Sequence, residues 1–218
     1  MLKADFHVHT YHSRDANIKP KDLVLKAKVM GIDILAITDH NTIDGFGEVE
    51  SEAKKLYKDL ILFRGEEIRV KGGEIIALGI SKEIPKKLSP MEACKLVREQ
   101  GGFIILPHPF DRFRKGLGNS SLKILNYIDA VEVFNSRTMF SSFNKKNLSF
   151  AQKNNIPMIA SSDAHFLEEF GNAWTVIDSA RNRNDILKAV REGKTKADGK
   201  CSGIKPHLKT SLRRYRII

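Results

Sequence analysis

Cysteine is scarce in this chain: Cys94 and Cys201 are the only two in 218 residues. Two cysteines give no disulfide framework, so the fold must come from burial of apolar side chains. No apolar run is long enough to span a bilayer, and the start, Met1-Leu2-Lys3-Ala4-Asp5, enters a strand pattern without a signal region. A cytoplasmic protein with no membrane contact is expected. There is no Gly-x-Ser-x-Gly elbow and no glycine-rich phosphate cradle, which excludes the serine-hydrolase and P-loop routes to hydrolysis. Linkers, repeats and low-complexity stretches are lacking too, and strand and helix patterns alternate, so one domain is expected. Acidic residues are outnumbered, 26 against 37 Lys and Arg, for a net charge of +11. The excess gathers at the end: from Lys188 to Ile218, ten Lys and Arg stand against Glu192 and Asp198. Such a segment attracts nucleic acid or another polyanion, or is simply a solvated surface.

What is present in quantity is the short apolar run ending in metal-binding side chains. In Ala4-Asp5-Phe6-His7-Val8-His9-Thr10, a strand places His7 and His9 on one face and Phe6 and Val8 on the other. Neutral imidazoles side by side on a buried strand suit a divalent transition metal. Four further runs end the same way: 34–40 in Asp39-His40, 60–67 in Glu66-Glu67, 103–109 in His108-Pro109, and 158–165 in Asp163-Ala164-His165; a fifth, 130–135, ends in Asn135. Near-continuous apolar runs read as buried parallel strands, and ligands at their C-terminal ends read as a barrel active site. Glu66 and Glu67 are adjacent, so only one of them faces such a site.

Helix signals separate these runs. Lys19-Pro20-Lys21-Asp22 opens a helix to Met30, closed by Gly31. A second helix ends near Tyr57. Ser89-Pro90-Met91-Glu92 forms a capping box for a helix to about Gln100. Val70 to Glu74 reads as a hairpin turn between two short strands. Residues 144–154 read as a helix, Trp174 to Ile177 as the last strand, and Asn184 as the cap of a final helix through Arg191.

The segments Asp5-x-His7-x-His9, Thr38-Asp39-His40-Asn41, Gly65-x-Glu67, His108-Pro109 and Ser162-Asp163-x-His165 resemble, in order and approximate spacing, the PHP (polymerase and histidinol phosphatase) superfamily of metal-dependent phosphoesterases. The resemblance runs from Ala4 to about Gly193. It implies an α/β fold, a distorted (β/α)7 TIM-like barrel over residues 1–193, followed by a basic C-terminal extension over 194–218. It also implies two to three divalent metal ions. By resemblance, His7, His9, Glu67 and Asp163 hold one. Glu67, chosen over Glu66 by the Gly-x-Glu spacing, bridges to a second held also by His108 and Asn135. Asp15, His40 and His165 hold a third, with His12 as a neighbour in the same loop. Some family members carry histidine near Asn135, so an amide there implies a looser second ion. The catalytic positions are Glu67, Asp163 and His165.

Asp5 and Asp39 are candidate partners for the free N–H groups of the ligand histidines. Arg14, Arg114 and Arg137 each follow a ligand-bearing strand and are candidate phosphate binders, because guanidinium matches phosphate bidentately. The basic, aromatic loop Phe110 to Gly116 reads as a substrate loop. Several cations held close together lower the pKa of a bridging water, giving a hydroxide that attacks phosphorus in line. The expected activity is hydrolysis of a phosphate mono- or diester with zinc, manganese or iron. Nucleotides, nucleoside bisphosphates and short oligonucleotides are favoured, and nucleic acid is a possible partner of the basic extension. Two alternatives share the opening His-x-His or the barrel: an amidohydrolase cleaving C–N bonds, and a non-catalytic RNA-binding subunit of the ribonuclease P type.

Overall fold

In the computed structural model, which describes residues 1–214, the strands are β1 (Leu2–Asp5), β2 (Ile34–Ile37), β3 (Ile61–Val70), β4 (Gly73–Leu78), β5 (Phe103–Leu106), β6 (Ala130–Asn135), β7 (Met158–Ser161), β8 (Ala173–Ile177) and β9 (Thr195–Gly199). The helices are α1 (Pro20–Met30), α2 (Gly45–Leu56), α3 (Pro90–Glu99), α4 (Ser141–Lys153), α5 (Arg183–Arg191) and α6 (Lys205–Arg214). All nine strands form one sheet in the order β7-β6-β5-β4-β3-β2-β1-β8-β9. The sheet curls until its ends approach. Thr175 Oγ1 on β8 donates to Ala160 O on β7 at 2.8 Å and accepts from Ala160 N at 2.9 Å. Thr195 Oγ1 on β9 donates to Met158 O at 2.7 Å. The nearly closed barrel is a distorted (β/α)7 TIM-like barrel. Its distortion lies in β4 and β8, which run antiparallel to both neighbours while the other seven strands share one direction.

Alternation along the strands sorts the core. Phe6, Ile34, Ala36, Phe63, Phe103 and Ile105 fill the barrel interior, joined by Ile186, Ala189 and Val190 of α5. That helix therefore plugs the end where the parallel strands begin, leaving the opposite end for the site. Outside, Leu35 and Ile37 meet α1 and α2, and Ile104 and Val131 meet α3 and α4. Ser89 caps α3 with the expected reciprocal pair: Glu92 N donates to Ser89 Oγ at 3.3 Å and Ser89 N to Glu92 Oε2 at 2.8 Å.

Several local expectations are corrected. The β1 ladder stops at Asp5, and Val8 makes only an isolated bridge to Ala164. Phe6 packs inside the barrel but Val8 outside it, so two-residue alternation does not carry through 4–10; the Asp5 carboxylate accepts from His7 N at 3.3 Å and turns the chain there. The strands flanking Lys71-Gly72 are longer than the short pair expected. Asn182, not Asn184, caps α5, accepting from Asp185 N at 3.0 Å. Trp174 to Ile177 is not the last strand. The extension from Lys194 continues as β9, paired along its whole length with β8, and then as α6; its last four residues, 215–218, lie outside the described residues. Among the described residues no helix is long and apolar enough to cross a membrane.

Candidate metal centre

Six strand tips deliver the site. His7 and His9 follow β1, His40 follows β2, Glu67 lies within β3, His108 follows β5, Asn135 ends β6, and Asp163 and His165 follow β7. His40 and Glu67 face each other across an isolated bridge. Two tips depart from ordinary strand geometry: His108 (φ +29°) and Asp163 (φ +53°) occupy left-handed backbone, which is uncommon for residues with a Cβ and is retained where surroundings demand it. Asp163 N donates to His7 O at 2.8 Å, and His108 N to Glu132 Oε2 at 3.1 Å; both turns re-aim a side chain inward.

The hydrogen-bond network fixes where the imidazole lone pairs point. His7 Nδ1 lies 3.1 Å from Glu132 Oε1, an acceptor, so Nδ1 carries a proton and Nε2 is the nitrogen turned to the centre. His9 Nδ1 lies 3.1 Å from Ser13 Oγ, whose own hydrogen goes to Asp39 Oδ1 at 2.6 Å, so His9 Nε2 is bare. His165 Nδ1 donates to Asp163 O at 2.9 Å. The Nε2 atoms of His7 and His9 sit 3.0 Å apart, with Glu67 and Asp163 oxygens 3.4–3.5 Å away. Such a convergence of nitrogens and carboxylate oxygens is held together by a proton on His7 Nε2 or by a metal cation in its place. Buried Asp163 Oδ1 has no hydrogen-bond donor. Imidazole nitrogen with carboxylate oxygen is a donor set for a divalent transition metal, so these residues fit one.

The remaining candidates distribute around this centre. Glu67 Oε1 is 3.3 Å from His108 Nε2, and its Oε2 is 2.8 Å from His40 Nδ1. Glu74 belongs to a group with Glu67 and His108 whose ligand atoms lie within 4.8 Å of one another, as do those of His9, His40 and His165. Asp15 Oδ1 lies 3.5 Å from His40 Nε2 and 3.7 Å from His165 Nε2. Burial opposes charge on all these groups, but their mutual attraction outweighs it at several. Asp163, Glu67 and Glu132 hold His7 well above the usual imidazole value, so without a metal its Nε2 keeps a proton that a bound ion would displace. Arg114 and His7 hold Asp163 well below the carboxylate range. His165, buried beside Arg137 and His9, is pushed well below and stays neutral.

Some expected roles change. Asp5 and Asp39 do not meet an imidazole N–H. Asp5 accepts from the backbone of His7 and Ser162, and Asp39 from Thr10 N, Thr10 Oγ1 and Ser13 Oγ. Asn135 is committed elsewhere: its Nδ2 donates to Glu132 Oε2 and Asp163 Oδ2, both at 2.8 Å, and its oxygen accepts from Arg137 N at 2.9 Å. Flipping the amide would set its oxygen against two carboxylates, so it orients Asp163 and Glu132 rather than offering a lone pair. Arg137, 2% exposed, is ion-paired to Glu169 at 2.8 Å and hydrogen-bonded to Thr210 of α6. Arg114 reaches inward and pairs with Asp163, while Arg14 is exposed at the mouth. His12 bonds Glu48 at 3.0 Å, away from the centre. Sequence reading missed Glu132, Glu74 and Glu169. Glu132 had a signal, a lone charge inside the apolar run 130–134; the others had none. Above the centre opens a cavity of about 630 Å³, rimmed by Arg14, Arg69, Lys86 and Arg114 and walled on one side by His207 and Thr210 of α6.

Residues 141–195 match the family model described as PHP-associated. The chain is 39% identical over 178 residues to an uncharacterized protein of Methanocaldococcus jannaschii, covering 79% of this chain and 69% of that one. It is 35% identical over 102 residues to a 5'-3' exoribonuclease of Haemophilus influenzae, covering 45% of this chain and 36% of that one. Its fold matches, with a TM-score of 0.79 at 20% identity, a two-domain protein from Bacteroides vulgatus that contains a predicted PHP-like metal-dependent phosphoesterase; the match covers 91% of this chain and 65% of that one. Barrel, strand-tip ligand set and these likenesses agree, and the chain belongs to the PHP superfamily, built on its metal-dependent phosphoesterase fold.

Proposed function

We propose that this protein hydrolyses a phosphate mono- or diester, with nucleotides, nucleoside bisphosphates or short oligonucleotides as the favoured class. One observation carries the reading: the Nε2 atoms of His7 and His9 converge with Glu67 and Asp163 at the foot of a cavity rimmed by cations. Two to three divalent ions (zinc, manganese or iron) would be held by His7, His9, Glu67 and Asp163, by Glu67, His108 and Glu74, and by Asp15, His40 and His165. Bound there, they supply Lewis acidity and lower the pKa of a water for attack on phosphorus.

The chain's own residues do the rest. Glu67 belongs to two of these groups and touches the third, one oxygen toward His7 and His108 and the other toward His9 and His40. Glu132 holds the His7 tautomer. Arg114 lies against Asp163, placed to take a phosphoryl oxygen, and Arg14 and Lys86 draw an anion to the rim. The basic C-terminal segment is part of the reading, since α6 walls the cavity and its charge would hold a longer polyanion. The exoribonuclease relative supports this substrate class.

The test is metal-depleted protein reconstituted singly with zinc, manganese or iron. It is screened against nucleoside mono- and bisphosphates, 5′-phosphorylated oligonucleotides, sugar phosphates, histidinol phosphate and a cyclic amide. Metal-dependent release of phosphate or nucleotide is expected. Hydrolysis of the cyclic amide with every phosphate ester inert would overturn the reading.

A further inference from the structure

We infer that Phe113, Phe140 and Phe143 form a base-stacking platform on the rim of the cavity, so that the ester bound there carries an unpaired nucleobase. The chemistry of the ester rests on the phosphoesterase reading above; recognition of the base stands on its own observations. Phe113 is 65% and Phe140 52% exposed, and Phe143 is half-buried. The three ring centroids lie 6.0–6.1 Å apart. Large aromatic side chains left together in water are unfavourable and mark a contact surface.

Two strand tips build the cluster. Phe113 lies in the 3-10 turn Arg112–Arg114 after β5, while Phe140 and Phe143 open α4 after β6, with Phe143 N bonded to Phe140 O at 2.9 Å. The loop carrying Phe113 is tied to the tip that bears His108. Buried Asp111 accepts from Phe113 N at 3.0 Å, Gly116 N bonds Asp111 O at 3.1 Å, and Gly118 N bonds Pro109 O at 2.7 Å. A Cβ on Gly116 would lie 2.3–2.4 Å from Pro109 O and His108 O, so only glycine permits that approach. The rings are thus held in a fixed relation to the centre rather than on a loose loop.

Charge selects the occupant. Phe113 lines the same cavity as its neighbours Arg114 and Lys115, and an aromatic face beside a cationic groove is how single-stranded nucleic acid is held: phosphate on the cations, base on the ring. A sugar phosphate would leave the rings uncovered, and an apolar protein partner would be repelled by nothing but would gain nothing from the cations.

The test uses Phe113→Ala, an exposed position, with Phe113→Trp as the conservative variant. Manganese-loaded protein binds a fluorescent six-nucleotide single strand with phosphorothioate linkages and its abasic counterpart of equal charge. Wild type and Phe113→Trp should bind the base-containing strand alike, and Phe113→Ala about 5- to 100-fold more weakly; on the abasic strand all three should agree. In turnover, Phe113→Ala should raise KM for the oligonucleotide and leave hydrolysis of ribose 5-phosphate, which carries no ring to stack, unchanged. Equal binding of both strands by wild type overturns the inference. So does an equal loss on both strands in Phe113→Ala, or a change in sedimentation with unaltered strand binding, which would make the cluster a protein contact. If no phosphate ester is hydrolysed yet base-dependent binding falls in Phe113→Ala, the phosphoesterase reading fails and the platform stands.

Discussion

Glu132→Gln isolates the residue that sequence reading overlooked. Glu132 Oε1 accepts from His7 Nδ1, while Oε2 accepts from His108 N and Asn135 Nδ2. An isosteric amide fails in both orientations. With its NH₂ toward His7 it meets a donor, and His7 must move its proton to Nε2, taking the lone pair from the centre. With its NH₂ toward the other side it meets two donors. Losing a partner that orients a ligand histidine lowers metal affinity about 10- to 100-fold, or about 1.4–2.7 kcal/mol. The assay is the thermal midpoint with and without manganese. At a metal concentration 1,000 times the wild-type Kd, binding adds about 4.1 kcal/mol, and a variant bound 100-fold more weakly gains about 1.4 kcal/mol. For a chain of 218 residues, at about 2–3 °C per kcal/mol, the metal-induced shift should fall from about 8–12 °C to about 3–4 °C. Comparing shifts cancels any effect of the substitution on the metal-free fold. Equal shifts in the two proteins would refute the tautomer assignment.

Other outcomes follow from the same geometry. Glu67→Ala should abolish metal-dependent ester hydrolysis while circular dichroism stays native, since barrel strand tips carry function more than stability; wild-type turnover with metal supplied would sink the bridging role. Gly45→Ala would set a Cβ 2.3 Å from Asp39 Oδ2 and 2.6 Å from Thr10 Oγ1, displacing the carboxylate that holds Ser13 and through it His9, so manganese affinity measured by calorimetry should fall. Ser89→Ala removes the α3 capping box and should lower stability by about 1 kcal/mol in urea titration, with kcat and KM unchanged. Burial pushes the Cys94 thiol up to about 12, whereas Cys201 is exposed; a thiol reagent at pH 8 should label one cysteine in the native protein and two after denaturation. Removing residues 202–218 deletes the α6 wall and should weaken oligonucleotide binding and flatten its salt dependence, while an unchanged salt slope would make the basic segment a plain surface.

The sequence by itself determined the strand tips. His7, His9, His40, Glu67, His108, Asp163 and His165 end apolar runs whose length and composition are local properties, and a strand tip carries its side chains wherever the sheet takes it. The starts of α1 and α3 were equally legible, because Pro20 and the Ser89–Glu92 box act within one turn. Only the tertiary structure decided what depends on partners far apart in the chain. The reversed direction of β4 and β8 is set by pairing, not composition. Asn135 resembled a ligand until Glu132 and Asp163 were found on either side of its amide. Arg137 resembled a phosphate binder until Glu169 and Thr210, 32 and 73 positions away, were found to hold it. The apolar stripe at α6, Ile204, Leu208 and Leu212, faces solvent, and the helix is seated instead by buried polar contacts to Arg137. Those contacts have no local pattern, because what makes a buried charge tolerable is a partner that only the fold supplies.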